Sequence, residues 1–409
     1  MSTVALQAQC LCRAQTFTTT VATASLPLKG SCCHCTSCRH FSGALRSSDA
    51  VWPGDPVLKR YQHSPRVNVL FCGTCGSGMF FEEWDDTEAK ERGGVEEASY
   101  LVFTGVLSVV EGGALEGRLP VVLEDHVFVG DTLDGGAACW LRGINGTGQP
   151  QAKVWLGRRN QSEEVKAGTQ WPAVGSLMEH GANLKGEKGD VPLRCHCRGV
   201  DLVLRAGDAQ REFEEMQKNG EELPRFVDPR THKLLGELDA CDSCRIWGAS
   251  ELFNWTFAWL KHISFAGAPD KGFPANTAQL KAAVEAADDS SRDPRLGTLA
   301  VYTSSPHVQR YFCGRCSASV FYTIDDRPDK VDIAVGLLDS PDGARAESVI
   351  SWSCGRETSW RDDMIGTWRV RMLHAVEKEA EQWRIERGYP TIWYRLAQEQ
   401  VQQVGGDAP

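Results

Sequence analysis

The chain has 409 residues, 42% of them hydrophobic and 24% charged, the balance of a soluble globular protein long enough for two or three domains with their own cores. Its formal charge is −10, from 44 basic and 54 acidic residues, so no basic footprint is visible and nucleic acid is not expected as a partner. No run approaches the roughly 20 apolar residues that cross a bilayer, so no membrane partner is expected either.

The N-terminal stretch MSTVALQAQCLC has no basic region followed by an apolar one, so a secretory signal is not expected and a cytoplasmic location is. The sixteen cysteines could form a disulfide framework, but in a reducing compartment C-x-C and C-x-x-C pairs more often hold metal. Cys10-x-Cys12 is answered by Cys72-x-x-Cys75, and Cys195-x-Cys197 by Cys313-x-x-Cys316. Two such pairs supply the four thiolates of a closed tetrahedral zinc site. Between the first two pairs lies Cys33-His34-Cys35-Thr36-Ser37-Cys38. Three thiolates on one loop leave a zinc with a free position, which is where zinc does chemistry.

Strands are predicted for YLVFTGVLSVVEG, PVVLEDHVFVG, FNWTFAWLKHISFAG and VDIAVGLL, β-branched and aromatic runs bounded by Gly, Pro or Asp. His126 and Asp131 fall on the second of these and its turn, from which they could reach a substrate groove, although turn chemistry alone accounts for Asp and Gly there. Cys139 and Cys354 lack ligand spacing and read as buried thiols. Trp140, Trp352 and Trp360 could line a pocket or pack the core. A polar stretch over 161–190 reads as a linker. Beyond it the C-x-C to C-x-x-C interval lengthens, with insertions near 206–235 and 268–296 whose REFEEMQKNGEEL and NTAQLKAAVEAADD are helix-like, the latter capped by Asn276 or Thr277. EKEAEQWRIERG and TIWYRLAQEQVQQ predict two C-terminal helices with apolar faces at Trp383 and Ile385, then Ile392, Trp393 and Leu396, to pack on the second domain or on a partner subunit.

The two halves repeat. Leu58, Tyr61, Ser64, Pro65, Phe71, Cys72 and Cys75 recur as Leu299, Tyr302, Ser305, Pro306, Phe312, Cys313 and Cys316, all at one spacing of 241. Phe80-Phe81 is followed by Phe321-Tyr322 in the same register, and Thr104-Gly105-Val106-Leu107 parallels Val335-Gly336-Leu337-Leu338. Seven identities in register indicate a duplication. The expected organisation is a zinc-binding domain over 1–160, the linker over 161–190, a second zinc-binding domain over 191–373 and C-terminal helices over 374–409.

Cys10-Leu11-Cys12, Cys33-His34-Cys35-Thr36-Ser37-Cys38-Arg39 and Phe71-Cys72-Gly73-Thr74-Cys75-Gly76, in that order, resemble the glutathione-dependent formaldehyde-activating enzyme family, which includes centromere protein V. The resemblance covers roughly 5–150 and 190–370. It implies a mainly β, tent-like sheet fold in each half, a structural zinc on Cys10, Cys12, Cys72 and Cys75, and a catalytic zinc on Cys33, Cys35 and Cys38. It also implies glutathione as co-substrate in a carbon–sulfur lyase reaction or its reverse. Alternatives are a glutathione-assisted isomerase or detoxifying enzyme for a larger electrophile, and a non-catalytic zinc scaffold.

Several roles stay open at this point. Cys32, His34 or His63 could close the three-cysteine site as a fourth ligand. His34 could be a proton donor or a positional residue, and Arg39 could orient a substrate carboxylate or neutralise the zinc loop. In the second half Cys195, Cys197, Cys313 and Cys316 keep the closed set, but the loop reads Asp239-Ala240-Cys241-Asp242-Ser243-Cys244-Arg245. Asp239, Cys241 and Cys244 could still hold zinc, less tightly because oxygen replaces sulfur, or the loop could have become scaffold. Two or three zincs, at most four, are expected per chain, with homodimerisation through the C-terminal helices a possibility.

Overall fold

A computed structural model of the protein describes residues 2–41, 45–47, 57–84, 98–110, 115, 118–166, 189–268, 272–286, 291–352 and 358–389. Among these residues it is mainly β, with 35% strand and 24% helix. The first half contributes β1 (Thr3–Gln9), β2 (Thr16–Ala22), β3 (Leu28–Cys33), β4 (Leu45–Ser47), β5 (Lys59–Ser64), β6 (Val67–Phe71), β7 (Gly78–Glu83), β8 (Ser99–Phe103), β9 (Leu107–Val109), β10 (Val121–Val127) and β11 (Lys153–Val154). The second contributes β12 (Asp190–Arg194), β13 (Asp201–Arg205), β14 (Leu234–Asp239), β15 (Phe253–Trp259), β16 (Ile263–Phe265), β17 (Leu299–Ser305), β18 (Val308–Cys313), β19 (Ser319–Ile324), β20 (Lys330–Ala334) and β21 (Ile350–Trp352).

Each half folds into one large and one small sheet. The large sheets run β11-β10-β3-β4-β8-β7-β6-β5 and β21-β14-β15-β20-β19-β18-β17. Apart from the additional edge strand β11, they list the same elements in the same order, including the one parallel step, β10 on β3 and β21 on β14. Register agrees too. Tyr61 faces Val69 and Val69 faces Phe81, while Tyr302 faces Arg310 and Arg310 faces Tyr322. The small sheets are β2-β1-β9 and β12-β13-β16.

Three of the predicted strands are interrupted by a single 3-10 turn. Thr104–Val106 separates β8 from β9, Leu260–His262 separates β15 from β16, and Val335–Leu337 ends β20. The apolar run continues through each turn because both sides are buried, which is why periodicity alone reads one strand. The two insertions form α2 (Ala206–Lys218) and α4 (Thr277–Glu285), numbering from α1 (Thr36–Arg39), with α3 (Asp242–Gly248) between them. Asn276 is the cap of α4, accepting from the Gln279 N–H.

The C-terminal region differs from the expectation. Its first helix, α5, begins at Val370 and ends at Glu386, and buries Met372, Leu373, Val376, Ala380 and Trp383. Ile385 is 62% exposed, so it does not belong to the apolar face. That face lies across the first half: Trp383 meets Trp140 edge-on at 5.0 Å, and the Glu379 carboxylate accepts from the Gly143 N–H at 2.8 Å. The helix is thus committed within the chain. The second expected helix, with Ile392, Trp393 and Leu396, lies outside the described residues, as do Cys354 and 167–188 of the expected linker.

The halves meet through reciprocal contacts. Arg39 donates to the carbonyls of Gly336 and Leu338 at 3.4 and 3.2 Å, and Arg245, its counterpart, donates to the carbonyl of Gly105, the counterpart of Gly336. Ser317 donates to the carbonyl of Gly76, the residue 241 positions earlier, at 2.7 Å. A Cβ on Gly105 would lie 2.2 Å from the Ser250 nitrogen and 2.3 Å from the Ala249 carbonyl carbon, both backbone. Gly105→Ala should therefore destabilise the chain by about 2–3 kcal/mol, the upper range for overpacking. Denaturant midpoints at unchanged m-value would measure it, and a midpoint like the parent's would refute the close approach.

Candidate metal centres

The Cys-x-x-Cys turns follow β6 and β18. In the first, Cys72 N–H donates to the Ser77 carbonyl and Gly76 N–H to the Cys72 carbonyl, with Gly76 at φ +80°. That turn directs Cys72 and Cys75 towards Cys10 and Cys12 at the end of β1. The four sulfurs lie within 4.8 Å of one another, as do those of Cys195, Cys197, Cys313 and Cys316. Measured edges are 3.5 Å for Cys10–Cys12, 3.6 Å for Cys12–Cys72, 3.6 Å for Cys195–Cys197 and 3.5 Å for Cys197–Cys313. A tetrahedron with metal–sulfur bonds of about 2.3 Å has edges of about 3.8 Å, so both clusters fit zinc-sized ions. Backbone N–H groups of Gln15 and Val200 donate to Cys10 and Cys195 sulfurs at 3.3 and 3.2 Å, the outer bonding that steadies metal thiolates. Hydrogen bonding to Cys72 and Cys75, then burial, pushes the Cys10 thiol up, while the bonds from Cys10 and Cys75 pull Cys72 down. Were all four ionised, thiolates in one such space would require a cation.

The first-half loop forms where β3 ends at Cys33 and α1 begins. Cys35 caps α1, its sulfur accepting from the Cys38 N–H at 3.4 Å, and its sulfur lies 3.4 Å from that of Cys33. All three sulfurs fall within 4.8 Å of one another. Cys33 and Cys38 are buried, and Cys35 is the half-buried member. None of the three candidate fourth ligands joins the group. Cys32 and His34 cluster instead with His126. His63 Nε2 lies 3.9 Å from the Cys38 sulfur but outside the set that shares one centre. Its ring stacks on His196 of the second half, 4.3 Å away, and His196 Nδ1 is 2.6 Å from the Tyr61 hydroxyl. Sequence reasoning missed His196, because it lies between two ligands of the distant closed cluster and carries no signal of its own.

His34 and His126 form a buried pair, with His34 Nε2 2.9 Å from His126 Nδ1 and His126 Nε2 3.0 Å from the Leu141 carbonyl. The carbonyl only accepts, so His126 carries its proton on Nε2 and accepts from His34 on Nδ1. His34 is in this way a fixed strut beside the loop. Burial pushes His34 down to about 4 and His126 down to about 3. From pH 6.5 downwards the unfolded chain takes up protons that the folded chain refuses, so stability falls as pH drops towards those values. At pH 5 each histidine should have lost about 2 kcal/mol. His126→Gln, which keeps a donor and an acceptor, should lose less stability between pH 7.5 and 5 in denaturant titrations than the parent. An equal loss would remove the histidine pair as the cause.

Asp131 sits near the loop, its carboxyl pushed up first by burial and then by Cys35. Arg39 turns from the loop into the second half, where its guanidinium meets the two carbonyls described above. Behind Cys33 and His34 is a cavity of about 100 Å³ between the halves, lined also by Trp140, Trp352 and Arg345. Trp360, 69% exposed, is instead on the rim of a second-half pocket. Cys139 is half-buried and accepts from Arg345. In the second half Asp239, Cys241 and Cys244 are brought together by the end of β14 and the start of α3.

These features define a β protein with cysteine clusters able to hold metal ions, and among the described residues no helix is long and apolar enough to cross a membrane. Residues 5–98, which include the first closed cluster and the three-cysteine loop, match the family model for glutathione-dependent formaldehyde-activating enzymes, a glutathione-related family. No curated protein and no solved structure matches the chain.

Proposed function

We propose that the protein is a zinc-dependent carbon–sulfur lyase, or catalyst of the reverse addition, acting on a glutathione adduct at Cys33, Cys35 and Cys38. The observation that carries this reading is the gathering of three sulfurs without a fourth described ligand, within the segment matched to a glutathione-related family. The donor set suits zinc, which would supply a Lewis acid able to keep a bound thiol, otherwise of pKa about 8.5, as thiolate. The chain's own residues then do the rest. Cys35 presents the loop to solvent, Cys33 and Cys38 fix it from the buried side, and the His34–His126 pair holds its backbone. Arg39 ties it to the second half, and His63 stacked on His196 forms a wall beside Cys38.

In this reading the chain is a tandem pair, with one catalytic loop in the first half and a structural zinc in each closed cluster. It acts in the cytoplasm without nucleic acid or membrane. The test is elemental analysis of metal-replete protein with and without glutathione. Three zincs per chain are expected, one of them labile, with the spectrum of its cobalt substitute perturbed by glutathione. Two tightly held zincs and no response to glutathione would leave a scaffold.

A further inference from the structure

The second-half loop replaces the thiol of Cys33 with the carboxylate of Asp239 and keeps a pair of thiols. Both Asp239 oxygens are engaged, Oδ1 by the Cys241 N–H at 2.7 Å and Oδ2 by Trp255 Nε1 at 2.9 Å. Against the sulfur of Cys244 lies the Arg310 guanidinium, at 3.5 Å, and Arg310 Nε donates to the Ser304 hydroxyl at 3.3 Å. Arg310 is 3% exposed and packs near the faces of Trp247 and Tyr322, 5.4 and 4.9 Å from their centroids. Among the described residues no carboxylate forms an ion pair with it. In the first half the same register position is Val69, and Ser304 replaces His63. A fixed cation thus stands beside the sulfurs, where it opposes a divalent ion and complements a thiolate.

Cys241 and Cys244 are unbridged, with their sulfurs within 4.8 Å, in the C-x-x-C spacing that closes to a disulfide in redox proteins. Cys241 is half-buried and Cys244 buried. Both line a pocket of about 480 Å³, together with Arg310, Trp255 and the exposed Trp360. We propose that Cys241 and Cys244 are a dithiol–disulfide exchange site for low-molecular-weight disulfides, separate from the first-half loop. The Cys241 thiolate attacks one sulfur of the small disulfide, forming a mixed disulfide and releasing one thiolate, which takes up the proton Cys241 gave up. The Cys244 sulfur then attacks that of Cys241, closing the protein disulfide. The second thiolate leaves with the proton of Cys244. Two protein thiols are oxidised and one small disulfide is reduced to two thiols.

The experiment treats metal-replete, full-length protein with glutathione disulfide and reads the peptide holding both cysteines by mass spectrometry. It should lose two hydrogens and regain them with dithiothreitol, and Cys244→Ser should instead carry one glutathionyl group on Cys241. Asp239→Cys combined with Arg310→Val restores the first-half set. That variant should bind one more zinc per chain than the parent and exchange at least tenfold more slowly. The proposal is overturned if the parent thiols resist glutathione disulfide until a chelator removes zinc, or if the double variant gains no metal. Turnover of a glutathione adduct should be unchanged in Cys241→Ser, so failure here is distinguishable from failure of the lyase reading.

Discussion

Cys35→Ser is expected to abolish turnover of a glutathione adduct while the protein stays folded. The sulfur of Cys35 is 3.4 Å from that of Cys33 and caps the four-residue α1 by accepting from the Cys38 N–H. A serine hydroxyl is also a good cap, so the local turn should survive with a harder donor in place of a thiolate. Loss of an outer hydrogen-bonding partner of a metal ligand typically costs about 10–100-fold in activity or affinity. Loss of a ligand itself should exceed that, giving a rate drop of more than about 100-fold. Bound zinc should fall by one per chain, while the unfolding midpoint moves little. The loop is half-open and most of the core lies elsewhere. A variant with parental turnover would remove the three-cysteine loop from the reaction.

Cys72→Ser should have the opposite signature, with loss of the fold first and activity only as a consequence. Closed zinc sites contribute about 10–16 kcal/mol of apparent binding free energy, against a net stability of about 5–15 kcal/mol for a whole domain. Cys72 and Cys75 also set the turn whose carbonyls receive second-half donors. Trp247 Nε1 donates to the Cys75 carbonyl at 3.0 Å, and the Ser317 hydroxyl donates to that of Gly76. Unfolding of the first half should therefore loosen α3 and the second turn as well. Hydrogen exchange would read this as lost protection in β1, β6 and β7 together with α3. Equal unfolding of Cys35→Ser and Cys72→Ser would erase the distinction between the two kinds of centre.

The closed clusters were legible because C-x-C and C-x-x-C fix ligand geometry locally, and the spacing of 241 made the second set visible from the first. Strand content was legible for the same reason that its interruptions were not: β8 and β9 are both buried around a 3-10 turn, so hydropathy does not change where direction does. Arg39 was weighed as a substrate or zinc-loop residue, whereas its guanidinium reaches carbonyls some three hundred positions away. His126 was weighed as one that could reach a groove and is wholly buried against His34. Both depend on contacts between segments far apart in the chain, which no local pattern encodes. Arg310 was invisible for a different reason. A charged residue within a strand reads as solvent-facing until a distant element covers it, here α3 through Cys244 and Trp247.

The reciprocal contacts across the middle of the molecule have the form of a two-fold interface, since Arg39 meets Gly336 as Arg245 meets Gly105. In two identical subunits with such an interface, any substitution occurs on both sides at once, so a change that suits one pocket is imposed on the other. Carried on one chain, the two sides inherit substitutions separately. Valine can stand at position 69 while arginine stands at 310, and cysteine at 33 while aspartate stands at 239. Covalent linkage thus keeps the two sides paired without requiring them to be identical.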